Sequence, residues 1–269
     1  MKAISVKIIT IFSVVFTILW VCGLFWTMKD QFTQGNTKEV VTVKSTNDEE
    51  DNQEAYQILA LGDSLTRGTG DESGKGYVGV LVDELKAKTK QTIHVTNTAI
   101  KGQTSTQLVE QMKQPEIQRQ VKQANVILLT IGGNDLFRGG EAIVNLSESE
   151  TKKSESTYLQ NINEVFTTIR QLNPDATVFH IGLYNPFIEL DNPEQTSQIV
   201  RSWNNDSAEV AASFKKIVYV PTFDLFQLNV NDYLYNDHFH PNQEGYKLIA
   251  ERAASLLTFQ KEGQTNDNK

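Results

Sequence analysis

The sequence predicts an α/β fold, a parallel sheet of five strands with helices on both faces. Three observations predict it. Five short runs rich in β-branched and other apolar residues recur at positions 57–61, 92–97, 126–131, 177–181 and 217–220. Stretches with helical apolar spacing fill the gaps, and strand alternating with helix is the mark of parallel pairing with crossover helices. The chain has 269 residues, 39% of them hydrophobic, enough for the buried core of one sizeable domain.

The first 28 residues read as a signal anchor. Residues 8–28 carry no charge and are rich in Ile, Val, Phe, Leu and Trp. At 1.5 Å per residue such a run spans about 30 Å, the thickness of a bilayer's hydrocarbon layer. Lys2 and Lys7 precede it, whereas the segment that follows carries a net charge of −4. Positive residues stay in the cytoplasm, so the expectation is a single-pass transmembrane helix with its N-terminus inside and the catalytic domain outside the cell. A cleaved signal peptide, and a secreted protein, is the competing reading, but the run is long for one and no small-x-small cleavage site follows. Cys22, the sole cysteine, follows bulky Trp20 and Val21, which argues against a lipidation signal, and its position leaves the rest of the chain without thiols for disulfides or zinc.

Residues 29–55 are polar and acidic, with too little apolar surface to fold, and read as a disordered tether. The folded domain is expected over 56–259, with a polar tail at 260–269. Within it, residues 77–88 place Val78, Leu81, Val82 and Leu85 on one helical face. Residues 156–172 do the same with Leu159, Ile162, Val165, Phe166 and Ile169. Further helices are expected over 194–214 and 242–259. A formal net charge of −8 and a pI of about 5.1 argue against a nucleic-acid partner, which would call for a basic face.

In doubly wound sheets ligands bind beyond the carboxyl ends of the strands. Ser64 follows the first strand, Gly102 the second, Asn134 the third, and Asp237 and His240 the fifth, so all five fall on one rim. A serine hydroxyl is a weak nucleophile until a base takes its proton. His240 is the candidate base, and Asp237 is the carboxylate that fixes its tautomer. Pro241 turns His240 away from helical geometry and opens the next helix. The oxyanion formed on attack needs donors already in place, and the N–H groups of Ser64 and Gly102 with the Asn134 carboxamide supply three.

Gly62-Asp63-Ser64-Leu65, Gly102 in its turn, Gly133-Asn134-Asp135 and Asp237-x-x-His240-Pro241 resemble the successive sequence blocks of the SGNH (GDSL) hydrolase family, in order and spacing, over residues 56 to 259. The resemblance implies a three-layer α/β/α sandwich of flavodoxin-like topology. It also implies a serine hydrolase of esters, with Ser64, Gly102 and Asn134 as the oxyanion hole and no metal or organic cofactor.

Taken singly, each block has an ordinary reading: a helix cap, a positive-φ glycine, an Asx-turn and a surface pair at a helix start. Their convergence on one rim outweighs these. Asp63 is expected to hold its turn, and Asp135 either to do the same or to position Asn134. His238 and His240 alternate on an extended segment and face opposite ways, which disfavours a shared metal. His94 and His180 read as core or rim residues. The loops 137–156 and 184–193 flank the rim, and Phe187 and Ile188 are the candidates for contact with the acyl group. The expected function is an esterase of the lipase/acylhydrolase class working through an acyl-enzyme on a small-molecule, lipid or glycan ester. The alternatives are an acyltransferase or glycan O-deacetylase using the same residues, and a catalytically silent membrane-anchored binding module.

Overall fold

The structure is a computed structural model that describes residues 55–138, 147–189 and 193–257. The expected anchor at 8–28, nearly all of the tether and the tail at 260–269 lie outside the described residues. Among the described residues, no helix is long and apolar enough to cross a membrane.

Five parallel strands form one sheet: β1 (Tyr56–Gly62), β2 (Ile93–Asn97), β3 (Val126–Thr130), β4 (Thr177–Ile181) and β5 (Ile217–Val220), in the order β2-β1-β3-β4-β5. The register pairs Leu59 with Ile127 and Leu128 with Phe179. β1, β3 and β4 are apolar almost throughout because both faces of the sheet are covered. Alternate residues feed two cores. Leu59, Leu61, Ile127 and Leu129 face one apolar cluster, and Ile58, Ala60, Val126 and Leu128 the other.

The first cluster is covered by α3 (Ser105–Met112), α4 (Pro115–Gln123), α6 (Glu148–Leu172) and α7 (Pro193–Ala212). The second is covered by α2 (Gly76–Lys88) and α10 (Gln243–Ser255). This is the three-layer sandwich that the sequence leads one to expect. Short helices sit on the carboxyl rim: α1 (Ser64–Arg67), α5 (Gly133–Phe137), α8 (Phe223–Phe226) and α9 (Val230–Tyr233). The order runs outward in opposite directions from β1 and β3, so the switch point lies between the strands that lead to Ser64 and Asn134.

Two expectations are corrected. The helix expected from residue 156 begins at Glu148, so much of the expected 137–156 loop is helix; residues 139–146 of that loop are outside the described residues. The added turns are polar all round and show no apolar stripe, but Glu148 and Glu150 favour the helix N-terminus and the Glu148–Lys152 pair supports the turn. Asn134, whose ordinary reading is an Asx-turn, lies instead on a five-residue helix with Gly132 as its N-cap.

Candidate active site

The first strand ends at Gly62, Asp63 caps α1, and Ser64 is that helix's first residue. Asp63 is fully buried. Its Oδ1 accepts the Leu65 N–H at 3.0 Å and the Thr130 hydroxyl at 2.8 Å, which ties the serine turn to the end of β3. Burial, helped by a smaller push from the charge of Asp135, outweighs the pull of those two hydrogen bonds and raises its carboxyl to about 7. Asp63 thus holds the turn, as its place beside the serine suggests.

Ser64 Oγ lies 2.8 Å from His240 Nε2, although the two residues are 176 positions apart. His240 Nδ1 lies 2.7 Å from Asp237 Oδ2. A carboxylate can only accept, so Nδ1 carries the proton, and Nε2 of the neutral ring is left to accept from the Ser64 hydroxyl. The other Asp237 oxygen accepts the N–H groups of Phe239 and His240 at 3.0 and 2.9 Å, and one carboxylate therefore shapes the loop and orients the ring. Burial works to raise the Asp237 carboxyl. Hydrogen bonds from the His240 ring and from the His240 and Phe239 backbone outweigh it and hold the carboxyl below its ordinary value.

The segment from Asp237 to His240 is not extended as expected but a turn, made by His238 at φ 54°, exposed and in the left-handed region. Among the described residues no three or more His, Cys, Asp or Glu side chains gather in a way that would hold a metal ion. The loop is closed by a bridge between Leu234 and Pro241 and by the Tyr235 N–H on the His240 carbonyl at 2.8 Å. From below, the Tyr184 hydroxyl donates to the Phe239 carbonyl at 2.5 Å, and its ring stacks on Phe226.

Gly102 has φ 74°, and a side chain there would meet only open space. The conformation, not crowding, calls for glycine. The backbone N–H groups of Gly102 and Ser64 have no acceptor among the described residues. The Gly102 loop is tied to the serine turn by the Ile100 N–H on the Gly62 carbonyl at 2.8 Å, and Asn134 Nδ2 donates to the Gln103 carbonyl at 3.0 Å. The three donors expected from the sequence are thereby brought to adjoining segments of one rim. Burial raises the Asp135 carboxyl even though Ser105 hydrogen-bonds to it.

Phe187 is 5% exposed and packs edge-on against Phe137 at 5.1 Å between centroids and obliquely against Phe239 at 5.9 Å. Phe239 in turn meets the His240 ring edge-on at 5.0 Å. Ile188 is half-buried against the opposite apolar cluster. Neither stands free in the solvent, and only Phe187 belongs to the aromatic group beside His240. His180 is core, flanked by Phe166 and Tyr219 with Nε2 3.2 Å from the Tyr158 hydroxyl, whereas His94 is exposed on the edge strand β2.

Sequence reasoning passed over Phe137, Tyr184 and Phe239. Phe137 lies three residues beyond Asn134 and Phe239 immediately before His240, so proximity to the motifs was the available signal. Tyr184 opens the 184–193 loop, but nothing in the sequence points to the carbonyl it holds 55 positions away.

A serine, histidine and aspartate linked in series on the carboxyl rim of a doubly wound sheet is an arrangement of serine hydrolases. The chain belongs to the GDSL-like lipase/acylhydrolase family, whose model matches residues 60–248, and it is a carboxylic ester hydrolase. It is 35% identical over 211 residues to the uncharacterized protein YpmR of Bacillus subtilis (strain 168), covering 77% of this chain and 82% of that one. It is 25% identical over 202 residues to the spore germination lipase LipC of Bacillus licheniformis, covering 73% of this chain and 93% of that one. Among solved structures, a lipase from a goat rumen metagenome superposes with a TM-score of 0.69 at 25% identity, over 75% of this chain and 97% of that one.

Proposed function

We propose that the protein is a serine esterase of the lipase/acylhydrolase class that cleaves carboxylic esters through an acyl-enzyme on Ser64. The observation that carries this reading is the unbroken series from Ser64 Oγ through the His240 ring to Asp237, at 2.8 and 2.7 Å. Ser64 Oγ attacks the ester carbonyl while His240 Nε2 takes its proton, and Asp237 steadies the imidazolium. The oxyanion is met by the N–H groups of Ser64 and Gly102 and by the Asn134 carboxamide, each such donor contributing about 3 kcal/mol to the transition state. Collapse expels the alkoxide, which takes the proton from Nε2. Water, deprotonated by the same nitrogen, then attacks the acyl carbon; acid leaves and Ser64 recovers its proton.

Phe187, which meets His240 through Phe239, is the acyl contact in this reading; Ile188, packed against the opposite apolar cluster, is not. The anchor at residues 8–28 tethers the domain on the outer side of the cell membrane.

The test is turnover of p-nitrophenyl esters and labelling by a fluorophosphonate probe in the full-length protein and in Ser64→Ala. Both are expected to vanish in a variant whose melting temperature is unchanged, and retained turnover would overturn the assignment. For the anchor, the full chain is expected in the membrane fraction with its domain open to external protease. Recovery of a chain lacking residues 8–28 from the medium would favour cleavage instead.

A further inference from the structure

Two of the proposed oxyanion donors stand on different segments, Gly102 after β2 and Asn134 on α5. The segments are joined twice. The Asn134 carboxamide donates to the Gln103 carbonyl at 3.0 Å. One residue further along the Asn134 segment and two further along the Gln103 segment, the Asp135 carboxylate accepts the Ser105 N–H at 2.9 and 3.1 Å and the Ser105 hydroxyl at 2.5 Å. Ser105 is buried, and its Oγ in turn accepts from Asn161 Nδ2 at 2.9 Å, a residue of α6. The Asn134–Gln103 and Asp135–Ser105 links are short side-chain contacts between segments about 30 positions apart, and the first residue of α3 thereby meets the third of α5.

We propose that Asp135 is a positioning residue that, by clamping Ser105, sets the separation of the Gly102 N–H and the Asn134 carboxamide and so the width of the oxyanion hole. This rests on the proposed roles of Gly102 and Asn134. The physical ground is that one Asn134 amide hydrogen is spent on the Gln103 carbonyl and only the other is left for substrate. Rotation of the carboxamide is thereby stopped, but its distance from Gly102 depends on how the two backbones are held. A carboxylate receiving two donors from one residue, both charge-assisted and one very short, is a stiff connector. Donors must meet the oxyanion within a few tenths of an ångström, so slackening this connector weakens the transition state and leaves substrate binding almost untouched.

The experiment is a double-mutant cycle on the full-length protein, with kcat and KM for p-nitrophenyl butyrate measured for Asp135→Asn and Ser105→Ala, each alone and combined with Asn134→Ala. Asp135→Asn is expected to lower kcat by up to about 100-fold with KM nearly constant. In the Asn134→Ala background the same change is expected to cost less than about threefold, because the donor it positions is gone. Ser105→Ala keeps the backbone donor and loses only the hydroxyl, so it falls between wild type and Asp135→Asn, and Ser105→Thr restores activity. Should Asp135→Asn fail to fold, the Ser105 series carries the test. Equal losses in both backgrounds, or full kcat in a folded Ser105→Ala, overturn the clamp while leaving the ester-hydrolase reading intact. An Asn134→Ala variant with wild-type kcat would overturn the donor assignment itself, and this inference with it.

Discussion

Gly70 runs directly against His240. A methyl group at Gly70 would lie 3.1 Å from His240 Cβ and 2.5 Å from the Pro241 carbonyl oxygen, and the residue has φ 96°. The turn that follows the serine helix is thus the surface on which the histidine loop rests, and a glycine is needed both for the close approach and for the backbone angle. Gly70→Ala is expected to cost about 1–3 kcal/mol in stability from the strained backbone. The larger effect falls on catalysis: pushing His240 back by a fraction of an ångström lengthens its contact with Ser64, and kcat should drop by about tenfold or more. Steady-state kinetics beside thermal melting will show whether activity falls further than folding does.

Asp237 performs two tasks with two oxygens, and two substitutions separate them. Asp237→Asn keeps the carbonyl oxygen that accepts the Phe239 and His240 N–H groups but presents an amide to Nδ1, which favours the wrong tautomer. Asp237→Ala removes both. Asparagine is therefore expected to lower kcat by about 10³–10⁴-fold with little change in melting temperature. Alanine should lower both. If asparagine were as disruptive to folding as alanine, the loop-shaping bonds would not be the ones it retains.

The proposed site residues were legible in part because Ser64, Gly102 and Asn134 each follow closely on a strand, whereas Asp237 and His240 lie 17 and 20 residues beyond β5, and apolar runs such as 126–131 and 177–181 announce buried parallel strands. What places Ser64 next to His240 is not the strand order, since β3 and β4 separate β1 from β5, but the long segment after β5, which returns across the rim to rest on Gly70. The helices α3 and α4 were not singled out, though Thr104 and Gln107 form a capping box and Pro115 opens α4. Both helices are short, and their apolar residues are too few to stand out as a stripe. The early start of α6 was hidden for the opposite reason: residues 148–155 bury little and are shaped by charge pairing along the helix. Long-range side-chain ties such as Tyr184 to Phe239 and Asp135 to Ser105 have no local signature, since they depend on three-dimensional proximity between residues whose neighbours look ordinary.

His180 makes the stability of the fold depend on pH. Burial pushes its imidazole down to about 3, whereas in the unfolded chain it titrates at about 6.5. Below about 6.5 the unfolded state binds a proton that the folded state refuses, so stability is fully present above that pH and is lost as pH falls toward about 3. Asp63 acts in the opposite direction: its folded carboxyl sits at about 7, so its contribution falls as pH rises from about 4 to 7. Comparing the wild type with His180→Gln cancels Asp63, which is common to both. Within the window the variant should lose stability more slowly as the solution is acidified, by up to about 1.4 kcal/mol per pH unit. Denaturant melts at several pH values between about 4 and 6.5 measure the difference, and parallel curves would mean that His180 accepts its proton without unfolding.

The aromatic group beside the histidine makes a prediction about substrate choice. Phe187, Phe137 and Phe239 pack ring against ring, and Phe239 meets His240 edge-on. Truncating Phe187 removes one corner of this mutually packed group without touching the Ser64–His240 contact, so the expected change is in which acyl chain fits rather than in the chemical step. Phe187→Ala should lower stability by about 3–5 kcal/mol, as is usual for a buried ring. It should also shift kcat/KM toward longer chains, raising the ratio of p-nitrophenyl octanoate to acetate by about tenfold, the effect of a methylene or more of added pocket. Ile188→Ala should shift it less, because Ile188 packs against the opposite apolar cluster. An unchanged ratio in a folded Phe187→Ala would mean that the acyl chain leaves the catalytic serine by another side of the rim.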